Sequence, residues 1–252
     1  MSSQPVNEPI LGYAPGSSER AALQTELDKQ MAEVVEIPCI INGEKVFTGN
    51  TATQVIPHKH GHVIANVHLA GKAEIAAACQ AAIDAQAAWI DMGLEARCAI
   101  FERCADMLAG DWRMKVNAST MLNQSKTAFQ AEIDAACELI DFWNFNCWFA
   151  QELYSHQPMY SPEPTKNSME HRSLEGFVFA VTPFNFLSIA GNLPSASALM
   201  GNVALWKPAS SAVYPAYFIM QIFQEDGLPD GVINFIPGLG SVVGPLVMDH
   251  PA

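Results

Sequence analysis

The stretch of sequence that decides the fold is a continuous apolar run, Phe177-Val178-Phe179-Ala180-Val181. A run without polar alternation is expected of a strand that is buried on both faces of a sheet. Two similar runs follow at 203–206 and 232–236, and apolar residues at helical spacing predict helices at 189–200 and 212–225 between them. Strands and helices that alternate with short links predict right-handed crossovers and a parallel sheet. This part of the chain is therefore predicted to be a doubly wound α/β fold of the nucleotide-binding type.

Upstream of this sheet, the pattern predicts a small β region followed by helices. The pair Asn42-Gly43 favours a type I′ hairpin turn between strands at 39–41 and 44–47, because both residues tolerate positive φ. Residues 62–69 alternate as a further strand does. Apolar spacing then predicts helices at 73–90, 95–109, 112–124 and 128–153. The second of these is expected to stop at Gly110, and the aromatic end of the last is interpreted as core packing.

Three segments are predicted to lie outside these elements or at their margins. Residues 1–20 are rich in Pro, Gly and Ser and are interpreted as an arm, which a short helix at 21–34 follows. The Pro-rich residues 157–164 predict an excursion across the surface. A fourth helical segment begins at Gly238, and the sequence stops at 251–252, where a sheet of this type is expected to continue.

Composition excludes several classes of protein. The chain has 252 residues, of which 50% are hydrophobic and only 15% charged, so it is too apolar to be disordered. Its net charge of −13 disfavours binding to nucleic acid or to an anionic membrane. The apolar runs are too short to span a bilayer, and the N-terminus lacks the features of a secretory signal or a transit peptide.

The cysteines are interpreted as buried, reduced thiols, which indicates a cytoplasmic protein. Their spacing does not match that of a metal site, so no metal is expected. They lie at positions 39, 79, 98, 104, 137 and 147.

Polar residues follow the predicted strands at the sheet edge where ligands of open α/β folds bind. Asn185 comes after the first strand, where its amide either donates to an oxyanion or merely caps the turn. Lys207 and Ser210 follow the second strand and suit the hydroxyls of a nucleotide ribose, although a lysine at a strand end is usually solvated. 

A glycine-rich segment follows the third strand. Its glycines, Gly238, Gly240 and Gly244, are spaced one residue too far apart for the dinucleotide fingerprint. The alternative interpretation is a strand-to-helix turn that needs glycine torsions.

Taken in register, these segments resemble the aldehyde dehydrogenase superfamily. The motifs that carry the resemblance are Val181-Thr182-Pro183-Phe184-Asn185-Phe186, Ala198-Leu199-Met200-Gly201-Asn202-Val203, Trp206-Lys207-Pro208 and Gly227-Leu228-Pro229-Asp230-Gly231-Val232-Ile233-Asn234. Passages at 13–20, 130–136, 138–142 and 174–177 are similar to one of its families, the L-glutamate γ-semialdehyde (Δ1-pyrroline-5-carboxylate) dehydrogenases. The resemblance implies an aldehyde dehydrogenase-like α/β fold, a Rossmann-type parallel sheet with flanking helices that is incomplete at the C-terminus.

The resemblance also implies where the cofactor NAD binds. The lysine that holds the adenosine ribose corresponds to Lys207, with Ser210 nearby, and Gly240 and Gly244 correspond to the glycines beside the adenine. The nicotinamide half of the site is lined by the segment that corresponds to Thr182, Pro183 and Phe184.

On the substrate side, the resemblance assigns one catalytic and two binding residues. Asn185 corresponds to the oxyanion-hole asparagine, and Phe186 to an aromatic wall of the aldehyde tunnel. Glu138 corresponds to a tunnel glutamate that faces the α-amino group of the substrate. Helical spacing places Ala131, Ala135 and Glu138 on one face, and Glu132 is the less favoured alternative.

The sequence departs from the family in one respect. The family uses a nucleophilic cysteine and a general-base glutamate beyond a Phe-Thr-Gly-Ser loop, and no segment here matches them. We therefore expect the N-terminal, NAD-binding portion of an enzyme that oxidises L-glutamate γ-semialdehyde to L-glutamate in proline degradation, and no activity from this chain alone. The expected organisation is an arm with a short helix (1–36), an incomplete NAD-binding domain (37–150 and 173–252) and an oligomerisation hairpin (151–172), without the catalytic domain.

The expected partners are a small aldehyde and further copies of the chain, as a homodimer or higher homo-oligomer of the full-length enzyme. Three alternatives remain open at this point. One is the same domain in a bifunctional proline-utilisation protein, against which the arm that begins at Met1 argues. The others are a non-catalytic binding or assembly module and an unrelated nucleotide-binding α/β protein.

Overall fold

The computed structural model describes residues 4–252. One helix is followed by five strands and then by a run of helices, and strands and helices alternate from residue 178 onward. The helices are Ser18–Ala32 (α1), Lys72–Asp91 (α2), Leu94–Ala109 (α3), Arg113–Gln124 (α4), Ala128–Ala131 (α5), Glu138–Ser155 (α6), Leu187–Leu199 (α7), Val213–Asp226 (α8) and Gly240–Met248 (α9). A π-helical segment, Glu132–Cys137, joins α5 to α6. The strands are Val35–Ile37 (β1), Cys39–Ile41 (β2), Glu44–Val46 (β3), Thr51–Ile56 (β4), Lys59–His68 (β5), Val178–Val181 (β6), Ala204–Lys207 (β7) and Ile233–Phe235 (β8).

The predicted crossovers between parallel strands are confirmed. Strands β6, β7 and β8 pair in parallel, with Val181 opposite Lys207 and Trp206 opposite Phe235, and α7 and α8 connect them. The full order of this sheet is β3-β2-β8-β7-β6. It is mixed, since β2 pairs antiparallel with β8. The strands of the β2–β3 hairpin run in opposite directions, so at least one of them must run against the parallel strands.

The hairpin turn is also confirmed. Asn42 and Gly43 have φ values of 50° and 76°, the positive torsions that a type I′ turn requires. The structure has a second sheet, of order β1-β5-β4. Its strands β1 and β4 have no counterpart in the sequence prediction. The sequence pattern does not predict β4, because its first three residues are exposed and do not alternate between large apolar and polar side chains.

Within residues 4–252, the first apolar run is not buried on both faces. Strand β6 lies at the edge of its sheet, where Val178 and Phe179 are half-buried and Val181 is 54% exposed. The two strands that follow, β7 and β8, are fully buried. An apolar run shows that its residues tolerate burial, but the position of a strand within a sheet depends on its neighbours.

The helix predicted at 128–153 is interrupted by a π-helical turn at 132–137 and continues to Ser155. The boundary at residue 150 between the NAD-binding domain and the predicted oligomerisation hairpin therefore falls inside α6. The aromatic end of α6 is only partly core, which corrects the prediction. Trp143 is buried, but Phe149 is 50% exposed and packs edge-on against Trp148.

The structure describes the predicted arm from residue 4 onward, and this part of the arm packs against the helices. Residues 1–3 lie outside the described residues. Tyr13 is buried, and its hydroxyl donates to Glu132 Oε2 at 2.6 Å. Arg113 pairs with both Glu132 and Glu8. Burial by itself raises the pKa of the Glu132 carboxyl, but hydrogen bonds from Arg113 and Tyr13 outweigh it, so that pKa lies below the ordinary value. The arm is thus tied to the π-helical segment through the buried carboxylate of Glu132 and to α4 through Arg113.

The predicted surface excursion is confirmed. Residues 158–172 carry no helix or strand, and nearly all of them are exposed. Among the described residues, no helix combines the length and the apolar character needed to cross a membrane.

Candidate functional site

The candidate site lies where strands β6, β7 and β8 end, and two hydrogen bonds draw the loops that follow them together. The backbone N–H of Thr182 donates to the carbonyl of Lys207 at 3.2 Å. The hydroxyl of Ser210 donates to the carbonyl of Gly238, also at 3.2 Å. The structure therefore brings the predicted residues after the three strands to one edge of the sheet.

The loop after β6 presents Asn185 without a protein partner. Thr182 is buried and its hydroxyl accepts a hydrogen bond from the Trp206 indole at 3.1 Å, which anchors the start of the loop. Asn185 is exposed, and its side chain makes no hydrogen bond to any residue in the range 4–252. Helix α7 has Phe186 at its N-cap and no side-chain cap. The interpretation of Asn185 as a turn cap is therefore wrong, and its amide keeps both donors for a ligand.

The lysine at the end of β7 is buried, which overturns its interpretation as an ordinary solvated side chain. Lys207 is 5% exposed, and its ammonium donates to the carbonyl of Pro208 at 3.0 Å. No carboxylate in the described part of the chain pairs with it. Burial lowers the pKa of Lys207. An ammonium group has three donors, so this one has capacity left for the oxygen atoms of a ligand.

The glycines after β8 do not supply unusual torsions: Gly240 and Gly244 leave space, and Gly238 permits close packing. A Cβ built on Gly240 would lie 3.9 Å from Lys207 Cε, and one built on Gly244 would meet nothing within 4 Å. None of Gly238, Gly240 and Gly244 has a positive φ, so the explanation from glycine torsions is wrong. At Gly238 a Cβ would approach Val243 Cγ2 to 2.5 Å, and close packing requires glycine there.

The two candidate glutamates have different environments. Glu132 is fully buried, and its carboxylate is occupied by Arg113, Tyr13 and Asn117. Glu138 is half-buried, and its Oε2 accepts a hydrogen bond from the Ser188 hydroxyl. No residue in the described part of the chain bonds to its Oε1. Glu138 is therefore the one of the two that can receive a ligand.

The aromatic side chain next to Asn185 carries a cation above its ring. Lys126 Nζ lies 4.4 Å from the centre of the Phe186 ring, and Asp134 of the π-helical segment pairs with that ammonium. Sequence reasoning missed Lys126, Asp134 and Ser188. Lys126 and Ser188 contact residues that are remote along the chain, and Asp134 lies in the π-helical segment. No local sequence pattern predicts such contacts.

All six cysteines are buried in helices, in β2 or in the π-helical segment, as free thiols. Burial raises the pKa of Cys39 and of Cys137 to about 12. The Cys98 thiol is the exception, since a hydrogen bond with Cys147 lowers its pKa. None of the six lies in the loops that follow β6, β7 and β8. Within residues 4–252, no group of three or more His, Cys, Asp or Glu side chains is arranged to hold a metal ion.

The sequence profile of the Aldehyde dehydrogenase family matches residues 47–252. A Δ1-pyrroline-5-carboxylate dehydrogenase of Agaricus bisporus is 46% identical over 238 residues, which make up 94% of this chain and 44% of the relative. The mitochondrial enzyme of that name from Bos taurus is 46% identical over 98% of this chain and 44% of its own length. The chain thus spans less than half the length of the curated relatives that it matches.

Solved structures of similar proteins superpose on almost the whole chain. The crystal structure of the Δ-pyrroline-5-carboxylate dehydrogenase from Mycobacterium tuberculosis bound with NAD has a TM-score of 0.96 and 45% identity, and covers 99% of this chain and 47% of that one. The structure of proline utilization A from Bdellovibrio bacteriovorus has a TM-score of 0.91 at 28% identity, over 99% of this chain and 26% of that one.

Proposed function

Because the chain belongs to the aldehyde dehydrogenase family, we propose that it supplies the NAD-binding part of an enzyme that oxidises L-glutamate γ-semialdehyde to L-glutamate in proline degradation. The observation that carries the proposal is that two residues lie at the same edge of the sheet: Asn185, whose amide has no protein partner in the described residues, and Lys207, which is buried. The relatives named as Δ1-pyrroline-5-carboxylate dehydrogenases, at about 45% identity, support the choice of substrate.

The residues at the sheet edge fit NAD. Lys207 has donors left for the ribose hydroxyls of the adenosine half, and Gly240 leaves the space beside it open. Ser210 lies next to this pair, and Gly244 borders the open surface that would receive the adenine. Thr182, Pro183 and Phe184 would line the nicotinamide half. When bound, NAD would accept a hydride from the substrate.

The chain's own contribution to the chemistry is charge stabilisation and substrate placement. The Asn185 amide would donate a hydrogen bond to the aldehyde oxygen as negative charge develops on it, and such a donor acts most strongly where it is fixed before the reaction. Phe186 would form a wall against the aliphatic part of the aldehyde. Glu138 would pair with the α-ammonium group of the substrate through its Oε1, which has no protein partner in the described residues.

Replacing Lys207 with methionine should weaken the binding of NAD to this chain by roughly 10-fold, because one charge-assisted hydrogen bond is lost. Titration calorimetry with NAD measures the effect. The matched control is Lys45→Met, which removes the same charge from an exposed position of β3. Equal affinity of Lys207→Met and the unmodified chain would contradict the role of Lys207.

The pH dependence of NAD binding gives a second test of the same residue. Burial lowers the pKa of Lys207, so its ammonium loses a proton at a lower pH than an exposed lysine does. Affinity should therefore fall with rising pH before ordinary lysines titrate, and Lys207→Met should lack this fall. A fall that persists in the variant would assign it to another group.

Replacing Glu138 with alanine should lower kcat/KM for glutamate γ-semialdehyde by about 10- to 150-fold, since a charge-assisted contact is worth about 1.5–3 kcal/mol. Turnover of propanal, which has no ammonium group, should hardly change. Steady-state kinetics of the enzyme expressed from the natural gene measures both. An equal loss for the two aldehydes would indicate a disturbed helix, and no loss for either would indicate a solvated glutamate without a role in binding.

The other features of the sequence interpretation stay predictions. Identity is 45% to the separate dehydrogenase from Mycobacterium tuberculosis and 28% to proline utilization A, which favours a monofunctional enzyme over the bifunctional alternative. A cytoplasmic location is proposed from the buried free thiols alone, and several relatives are named as mitochondrial. A homodimer or higher oligomer that uses residues 151–172 is proposed on the family resemblance alone; in the structure this range holds the end of α6 and no strand.

A further inference from the structure

Ser188 connects the loop of Asn185 to the candidate substrate glutamate. It is the second residue of α7 and is completely buried, and its hydroxyl donates to Glu138 Oε2 on α6. This is the hydrogen bond that satisfies the Ser188 side chain in the described structure. A serine hydroxyl that is held inside the protein and aimed at a half-buried carboxylate fixes the position of that carboxylate.

The distance between the two helices at this point is set by their packing. A Cβ built on Gly191, one turn after Ser188, would come within 2.8 Å of Leu139 Cδ2, so α7 lies directly against α6 beside Glu138. Two further contacts join the same helices: Trp143 donates to the Ser195 hydroxyl at 2.9 Å, and Asn146 to Asn192 at 2.8 Å. Ser188 is therefore a donor on a rigid support rather than on a mobile loop.

A glutamate side chain has three rotatable bonds, and ordering such a side chain costs free energy when a ligand binds. We propose that Ser188 is a positioning residue for substrate selection. Its hydroxyl occupies Glu138 Oε2 and holds the carboxylate so that Oε1 receives the α-ammonium group of the amino-acid aldehyde. This inference rests on the role proposed for Glu138. The inference adds that Ser188, which does not itself contact the substrate, orients the Glu138 carboxylate before the substrate binds and so contributes to selectivity.

The test uses the enzyme expressed from the natural gene, with glutamate γ-semialdehyde and propanal as the two substrates. Ser188→Ala should raise KM for the amino-acid aldehyde by roughly 3- to 10-fold, because the carboxylate must now be ordered on binding. The kcat for this substrate and both constants for propanal should stay close to those of the unmodified enzyme. Ser188→Thr keeps the hydroxyl and should restore most of the KM.

Ser195→Ala is the matched control. It removes a hydroxyl from the same helix, two turns further on, and also breaks a buried hydrogen bond between α7 and α6. It should lower the thermal unfolding temperature without changing the ratio of kcat/KM for the two aldehydes. If Ser188→Ala does not fold, Ser188→Cys takes its place, because a thiol of similar shape is only a weak donor.

The outcomes separate the inference from the proposed function. A selective rise in KM in Ser188→Ala, absent from Ser195→Ala and reversed in Ser188→Thr, supports the inference. An unchanged KM in Ser188→Ala, or the same rise in Ser195→Ala, overturns it while leaving the role of Glu138 intact. Glu138→Ala is measured in parallel, and an unchanged selectivity in that variant overturns both the role of Glu138 and the inference.

Discussion

Replacing Asn185 with alanine is expected to lower kcat for aldehyde oxidation by about 10²- to 10³-fold, the usual effect of removing one oxyanion-hole donor. The affinity for NAD should change little, because the structure anchors the loop through Thr182 and Trp206 and not through Asn185. The substitution removes no hydrogen bond within the described residues, so we expect it to weaken the stabilisation of the transition state and not the fold. Steady-state kinetics of the enzyme expressed from the natural gene, together with calorimetric titration of NAD, measure the two quantities.

Asn144→Ala is the control for this variant. Asn144 lies on α6 beside a surface cleft that Glu102 and Asp106 also line, and no residue in the described part of the chain bonds to its side chain. Its replacement should leave kcat unchanged. A normal kcat in Asn185→Ala would show that Asn185 does not stabilise the oxyanion. A parallel loss of NAD affinity would show instead that the loop after β6 had been disturbed.

Replacing Arg113 with alanine should destabilise the chain by about 3–5 kcal/mol, because removal of one partner leaves the Glu132 carboxylate buried without its counter-charge. Arg113 is itself buried, and it also donates to the carbonyl of Pro9 at 2.7 Å and pairs with Glu8, so the same change releases the arm. Urea denaturation of residues 1–252 measures the free energy of unfolding. Limited proteolysis of residues 4–12 reports separately whether the arm detaches.

Arg172→Ala is the matched control, because it removes an arginine from a pair that is open to solvent. Arg172 and Glu175 form an exposed ion pair, and exposed pairs often contribute nothing measurable. A loss of stability in Arg113→Ala no larger than that in Arg172→Ala would contradict the importance of the buried cluster.

The stability difference between the unmodified chain and Arg113→Ala should depend on pH. The pKa of Glu132 is lower in the folded chain than its ordinary value of 4.5, so its ionised form contributes stability above that value. This contribution is lost as the pH falls through the lowered pKa, because the carboxylate must then take up a proton. The difference should therefore be full at neutral pH and shrink in acid. A difference that stays constant down to pH values below 4.5 would assign it to lost packing instead.

The helices and the buried parallel strands were readable from the sequence because their signals are local. Helix α3 was predicted at 95–109 and found at Leu94–Ala109. Strand β8 lies within its predicted apolar run, and β7 overlaps the run at 203–206 and ends one residue later. The spacing of apolar residues indicates which face of a helix or strand is buried, and this spacing repeats every few residues along the chain. The Asn42-Gly43 turn was readable for the same reason, since its torsions depend on the two residues themselves.

The candidate site could be located from the sequence only as an edge of the sheet. The residues after β6, β7 and β8 were expected to meet there, since the ends of parallel strands share one edge, and the structure brings them together. Neither the burial of Lys207 nor the absence of a partner for Asn185 follows from the motifs. Both depend on which side chains fill the space around them, and those side chains come from separate parts of the chain.

The sequence by itself determined the class of fold, the order of the parallel strands with the helices between them, and the edge that carries the site. Only the tertiary structure decided that β6 lies at the edge of the described sheet, that the arm bonds to Glu132, and that the Ser188 hydroxyl bonds to Glu138. The Ser188 contact joins residues that lie 50 positions apart, and the Tyr13–Glu132 contact joins residues 119 apart. Periodicity and turn chemistry act over a few residues, whereas these contacts depend on how whole helices pack against one another.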